Sequence, residues 1–269
     1  MQAHDALHYK NRSIFNSIAF IIMLAANILA VALPINGLTT AEVSDNYPCL
    51  FTPADFTFMI WPVIYLCLAA FTIYQQVLAF STSRFDKLSA FMRRMDHWFI
   101  FSCIINAGWL FAWHYEIISL SLLLVLIQTS CLVMIHRNFG IRNPSASTSE
   151  KIFIEFPFSI YLGWMAVAIL GNVGSLLAYE DWAGSHHAQI WITILLTAIA
   201  TLATVLMVLY RNNIMYALVT VWALYGIISK RQTDGLPDEF SIIHACIMGI
   251  GLIAVTISWH LIRKQKSFA

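Results

Sequence analysis

Residues 153–178 read FIEFPFSIYLGWMAVAILGNVGSLLA. The run is longer than the roughly 20 residues that a helix needs to cross a bilayer. It carries one charge, Glu155, close to its start, and one carboxamide, Asn172, well inside. An irregular segment of this composition would leave its backbone N–H and C=O groups unpaired in lipid. A helix satisfies them internally. The stretch therefore reads as a membrane-spanning helix.

Seven similar blocks flank it. They cover residues 14–34, 57–80, 97–115, 117–136, 189–210, 213–229 and 240–262. The composition agrees: 59% of the 269 residues are hydrophobic and 11% are charged, against roughly 25% charged in soluble domains. The fold class expected is all-α, a polytopic transmembrane bundle of eight helices. Block 14–34 also contains Ala30-Val31-Ala32 after Lys10 and Arg12, the form of a signal-peptidase site. Its length favours a spanning helix.

Alternating the connections across the membrane sorts the basic residues. With the N-terminus in the cytoplasm, all 15 lysines and arginines except Lys230 and Arg231 fall on inner segments. That is the positive-inside pattern. It predicts a multi-pass protein of a plasma or inner membrane with both termini cytoplasmic. The outer connections hold Glu42, Asp45, Asp55, Glu116, Glu180, Asp181, Asp234, Asp238 and Glu239. These read as solvated loop ends, with a cation-attracting vestibule as the sharper alternative. A net charge of +1 and the lack of a basic tract exclude a nucleic-acid partner.

Most connections are short. His114-Tyr115-Glu116 and Arg211-Asn212-Asn213 make antiparallel neighbours of the blocks they join. Longer connections cover 35–56, opened by Asn36-Gly37, the basic loop 81–96, and 137–152 with Asn143-Pro144 and a Ser/Thr-rich run. Thr52-Pro53-Ala54-Asp55 has the form of a helix start, with Thr52 capping and Asp55 reaching back. Of the five cysteines, Cys67, Cys103, Cys131 and Cys246 sit inside blocks and Cys49 in a loop, so no disulfide framework is implied.

Nine tryptophans invite two readings. Trp98, Trp182, Trp191 and Trp259 lie near block ends, where an interfacial aromatic belt collects. Trp61, Trp109, Trp113, Trp164 and Trp222 fit a belt less well. Trp61 and Tyr65 are four apart. Asn106, Trp109 and Trp113 follow steps of three and four, as do Tyr161, Trp164, Ala168 and Asn172. Such steps place side chains on one helical face. Asn106 and Asn172 are costly in lipid without partners, so these faces should point inward and could line one cavity. An aromatic pocket with a few amides suits a large, flat, mostly apolar ligand.

These three motifs resemble the tryptophan-rich sensory protein / translocator protein family (TspO/MBR). The resemblance covers about residues 14–178 and implies a five-helix unit, with 179–269 as three additional helices. It departs at Pro53, where the family has Pro-Pro and a Trp in place of Asp55. It departs also at Pro157, four residues before Tyr161 rather than adjacent, and at Trp113-His114, where the family pairs phenylalanines. The family binds porphyrins, haem-type tetrapyrroles and sterols among its helices, beneath the first long loop. By position, the resemblance implies Trp61 and Trp164 as pocket tryptophans. Tyr65, Asn106, Trp109, Trp113, Tyr161, Ala168 and Asn172 complete the implied ligand-binding set, with Ala168 small enough for ligand to lie against its helix.

The expected function is a membrane-bound binding or sensory protein for a hydrophobic ligand of tetrapyrrole or sterol/isoprenoid type. No cofactor is required, and a porphyrin or haem-type molecule is the ligand implied. Membrane lipid and a homodimer partner are compatible with this. A small-molecule transporter is the first alternative. Gly163, Gly171 and Gly174 would allow close packing. However, no block holds a mid-span carboxylate of the kind coupled transport uses, despite its cost of roughly 2.5–3.5 kcal/mol. A porphyrin-modifying enzyme is the second alternative. His186-His187 with Glu180 and Asp181 matches no firm metal motif. His114 at a block end is a weak axial-ligand candidate, and His244 reads as a core or helix-contact residue. No catalytic residue or metal ligand is assigned. A retinal protein is excluded, because no block interior contains a Schiff-base lysine.

Overall fold

The computed structural model describes residues 2–33, 35–47, 49–81, 84–142, 145–182 and 184–266. Side chains are described from Ala6 to Arg263 within those ranges. The expected Asn143-Pro144 turn and Pro34, the last residue of the first block, lie outside the described residues. Every regular element among the described residues is helical. The α-helices are α1 (Gln2–Ala32), α2 (Thr40–Asn46), α3 (Ile60–Ala79), α4 (Phe85–Met95), α5 (Trp98–His114), α6 (Ile118–Phe139), α7 (Thr148–Tyr179), α8 (His186–Arg211), α9 (Ile214–Asp234) and α10 (Phe240–Lys266).

The molecule is a polytopic helical bundle, with ten α-helices among the described residues rather than eight. Six segments are long and apolar enough to span: Ala6–Ala32, Asp55–Ala79, Ile118–Phe139, Thr148–Tyr179, His186–Arg211 and Pro237–Arg263. Helix α5 is apolar but only 17 residues long. Helix α9 ends in Lys230, Arg231 and Asp234. The two added helices come from segments that read as loops. Residues 35–56 contain α2, and residues 81–96 contain α4. In α4, Leu88, Phe91, Met92 and Met95 are buried while Lys87 and Arg93 stay exposed. Its charges hid an amphipathic period from a hydropathy reading.

Two further boundaries moved. Helix α7 begins at Thr148, because Ser147 and Glu150 form a complete capping box. Glu155 is therefore not a first-turn carboxylate. It lies in a π-helical turn, Lys151–Glu155, and is 4% exposed. The proposed start at Thr52-Pro53-Ala54-Asp55 is also corrected. A 3₁₀ turn, Asp55–Met59, leads into α3 with Ala54 at its N-cap and no side-chain cap. The Ala54 amide donates instead to the Gly226 carbonyl at 3.0 Å.

The chain divides into two compact units. The first is Met1–Thr39 with Trp61–Phe158, and the second is Thr40–Ile60 with Ser159–Ala269. In the first, α1 presents Ser13, Asn16, Phe20, Met23, Asn27 and Ala30 as one buried seam. Their spacing alternates three and four, the repeat that keeps one face against a neighbour. Asn16 Nδ2 donates to Gln75 Oε1 of α3 at 2.9 Å, and Gln76 Nε2 donates to the Ser13 carbonyl at 2.7 Å. Phe71 centres an aromatic core, 4.9 Å from Phe99 and 5.0 Å from Phe158 between ring centroids. Val63, Leu66, Ile73 and Val77 of α3 are exposed, the apolar outer face that lipid requires.

In the second unit, α10 meets α8, and α7 meets α9, at small residues. A Cβ at Gly249 would lie 2.6 Å from Thr201 Oγ1, and one at Gly163 would lie 3.0 Å from the Tyr216 carbonyl. Close helix approach of this kind is how membrane bundles gain contact. Gly174 is similarly tight against Cys49, whereas Gly171 has nothing within 4 Å. Lys230 and Arg231 are helical rather than loop residues. Arg231 is 5% exposed and donates to Glu239 Oε2 at 2.9 Å, with Asp234 Oδ2 at 3.0 Å. Part of the acidic outer set is thereby an internal ion pair. His244 is exposed beside Ile247 and Met248 and is not a core residue, since the α10 core face runs through Ile242, Cys246, Gly249 and Ile253.

Candidate functional site

The first unit brings five of the expected residues together. Trp61 opens α3, and Tyr65 lies one turn on, with ring centroids 5.6 Å apart and an interplanar angle of 21°. Trp109 of α5 meets Trp61 at 6.2 Å and 29°. Trp113, one turn beyond Trp109, meets it at 6.0 Å and 19°. Tyr65, Trp61, Trp109 and Trp113 thus form one continuous run of near-parallel rings. The helical step aligns the pairs within α3 and within α5. The Trp61–Trp109 contact joins the two helices.

Asn106 sits one turn before Trp109, and its Oδ1 accepts from Asn27 Nδ2 of α1 at 2.9 Å. Asn27 Nδ2 also donates to the Met23 carbonyl at 2.9 Å. The sequence reading omitted Asn27, although the three–four seam of α1 would have found it. His114 closes α5 and is fully buried. Its Nδ1 lies 2.8 Å from the Leu110 carbonyl, which assigns the proton to Nδ1. Trp109 Nε1 and His114 Nε2 are both buried with no hydrogen-bond partner among the described residues. One is a donor and the other an acceptor at the same end of α5.

The second unit holds the other four residues, on α7. Tyr161 is 1% and Trp164 4% exposed. Trp164 meets the Phe58 ring edge-on at 6.0 Å and 80°. Ala168 is half-buried, and its carbonyl accepts from Asn172 Nδ2 at 2.9 Å. Asn172 thus draws a partner from its own helix. Phe58 was not anticipated. Neither was the cluster of Phe56, Trp222 and Tyr225, in which Trp222 Nε1 donates to the Thr57 carbonyl at 3.0 Å.

The tryptophans divide by exposure. Trp182, Trp191 and Trp259 are exposed and Trp98 is half-buried, while Trp109, Trp113 and Trp164 are buried. Among the described residues no group of three His, Cys, Asp or Glu side chains could hold a metal. The acidic residue near His186 is Glu239, at 3.8 Å, rather than Glu180 or Asp181.

A family model described as TSPO-like protein matches residues 13–259. The chain belongs to the TSPO-like protein family. The match runs through α8 and α9 and most of α10, beyond the segment on which the TspO/MBR resemblance was read. No curated protein and no solved structure matches. Six spanning segments and this family make the chain a polytopic membrane protein.

Proposed function

We propose that this TSPO-like protein binds a large, flat, mostly apolar ligand of tetrapyrrole or sterol/isoprenoid type, as a membrane binding or sensory protein. The observation that carries the reading is the stacked run Tyr65–Trp61–Trp109–Trp113. Parallel indole faces offer stacking area to a planar ring system, each pair contributing roughly 0.5–1.5 kcal/mol beyond area burial. The Trp109 indole N–H supplies a buried donor for a polar edge of the ligand. Asn106, bonded by Asn27, lies one turn before Trp109 on α5. Tyr161, Trp164, Ala168 and Asn172 form a second aromatic face in their own unit. The distribution of basic residues supports an orientation with both termini cytoplasmic, in a plasma or inner membrane.

The test is titration of the purified protein with protoporphyrin IX, haem and cholesterol, followed by tryptophan fluorescence. Saturable quenching is expected. Trp61→Ala and Trp109→Ala should each weaken it roughly 2- to 12-fold, and Trp164→Phe reports on the second face. If none of the three ligands quenches below high micromolar concentration, the reading fails. Uptake of the bound ligand into proteoliposomes would mark transport rather than binding.

A further inference from the structure

A second site lies in the first unit, at the other end of α3 from Trp61. A cavity of about 370 Å³ opens where the last turn of α3, helix α4 and the first turns of α7 meet. Its floor is apolar: Leu78, Phe91 and Ile154 are buried, with Tyr74 beside them. Its rim is polar and exposed, formed by Arg84, Lys87, Ser147 and Ser149. Arg94 and Glu150 make the remaining wall.

The charges do not cancel. Arg84, Lys87 and Arg94 face a single carboxylate, and that carboxylate is already engaged. Glu150 Oε1 accepts from Arg94 Nη1 at 2.8 Å, and its Oε2 accepts from the Ser147 amide and hydroxyl at 3.1 Å each. Arg94 is engaged in turn. Its Nε donates to the Asn138 carbonyl at 3.2 Å, its Nη2 to the Phe139 carbonyl, and its guanidinium lies 4.5 Å over the Phe139 ring. Arg84 and Lys87 enter no ion pair among the described residues. They also stand in the cap and first turn of α4, whose N-cap residue Arg84 makes no side-chain cap. The positive end of the helix dipole adds to their field there.

We propose that this cavity binds a phosphate group through Arg84 and Lys87, with the Ser149 hydroxyl as a further donor. The group is a phospholipid head group or a free phosphate ester. Two features favour the lipid. The cavity lies at helix ends, where a spanning bundle meets the head-group layer, and its floor is apolar where a glycerol backbone and first acyl methylenes would rest. A basic pocket between spanning helices is a general solution for anionic lipid. This site is independent of the aromatic run, so each can fail without the other.

The experiment uses the purified full chain in detergent, with thermal stabilisation as the readout. Dihexanoyl phosphatidylglycerol, dihexanoyl phosphatidylcholine, glycerol 3-phosphate and inorganic phosphate are titrated separately. Each lost cation should weaken anionic-lipid binding roughly fivefold, so Arg84→Gln/Lys87→Gln weakens it about 25-fold. The control Arg93→Gln/Arg137→Gln removes the same charge from exposed positions outside the cavity, and should change binding less than about twofold. Phosphatidylglycerol binding with this variant dependence supports a lipid site. Equal affinity for glycerol 3-phosphate or inorganic phosphate, with the same dependence, supports a site for free phosphate. The proposal is overturned if the control pair loses as much as the cavity pair. It is overturned equally if phosphatidylglycerol binds no better than phosphatidylcholine and neither phosphate binds.

Discussion

Gly226→Ala should destabilise the second unit although alanine is the better helix former. A Cβ at position 226 would lie 2.0 Å from Thr57 Oγ1 and 3.0 Å from both Pro53 Cβ and Thr57 Cβ. The hydroxyl could rotate away. The two carbons could not, because one belongs to a proline ring and the other is bonded to backbone. The segment 53–57 must therefore move off α9. That motion strains the Ala54 amide bond to the Gly226 carbonyl, 3.0 Å, and the Trp222 indole bond to the Thr57 carbonyl, 3.0 Å. Overpacking costs roughly 1–3 kcal/mol, and a weakened hydrogen bond roughly 0.5–1.5 kcal/mol. The helix-propensity gain offsets about 0.5–1 kcal/mol. The net expectation is a loss of about 1–3 kcal/mol. Gly251→Ala in α10 is the control, since nothing lies within 4 Å of its added carbon. It should leave stability unchanged or slightly raised. Thermal unfolding in detergent, read by size-exclusion retention, compares the three proteins. A Gly226→Ala protein as stable as Gly251→Ala would refute the packing argument.

Three other outcomes are expected. Arg231→Met leaves the Glu239 carboxyl 1% exposed and without its main partner, and should cost about 3–5 kcal/mol. The double variant Arg231→Met/Glu239→Met should recover most of that loss, measured by the same unfolding assay. Asn27→Leu should remove the buried bond from Asn27 to Asn106 Oδ1 and cost about 0.5–1.5 kcal/mol, while Asn27→Leu/Asn106→Leu should be less harmful than the single change. Burial pushes the Cys49 thiol above its ordinary value, so less thiolate is present at any given pH. N-ethylmaleimide should modify the folded protein at Cys49 slowly at pH 7, and the rate should rise close to tenfold from pH 8 to 9, where an ordinary thiol of pKa about 8.5 gains only about threefold. Peptide mass spectrometry that finds a gain of about threefold or less would contradict the burial.

Features that depend on one helix were legible in the sequence. The step from Trp109 to Trp113 and from Trp61 to Tyr65 follows from 3.6 residues per turn alone, and both pairs stack. What joins two helices was less so. Nothing in either spacing pairs Trp61 with Trp109, and the hydropathy of its block hides the three–four seam on which Asn27 lies. Charged residues misled for a related reason. A hydropathy block stops at the first charge, so hydropathy alone ends α9 at 229 and leaves Arg231 in a loop. Burying Arg231 requires Glu239, eight residues on, and only the turn at Gly235 brings the two together. Glu155 is the same case across thirteen positions, since its partner is the Arg142 amide at 2.8 Å. In α4 the charges mark one face of a helix rather than a loop. Hydropathy therefore located the long apolar helices and missed polar contacts made between segments. Both candidate sites reflect this division. The aromatic run was visible in part as spacing within α3 and α5. The basic cavity was invisible, because Arg84 and Lys87 come near Ser147 and Ser149 only through the packing of α4 and α7 around it.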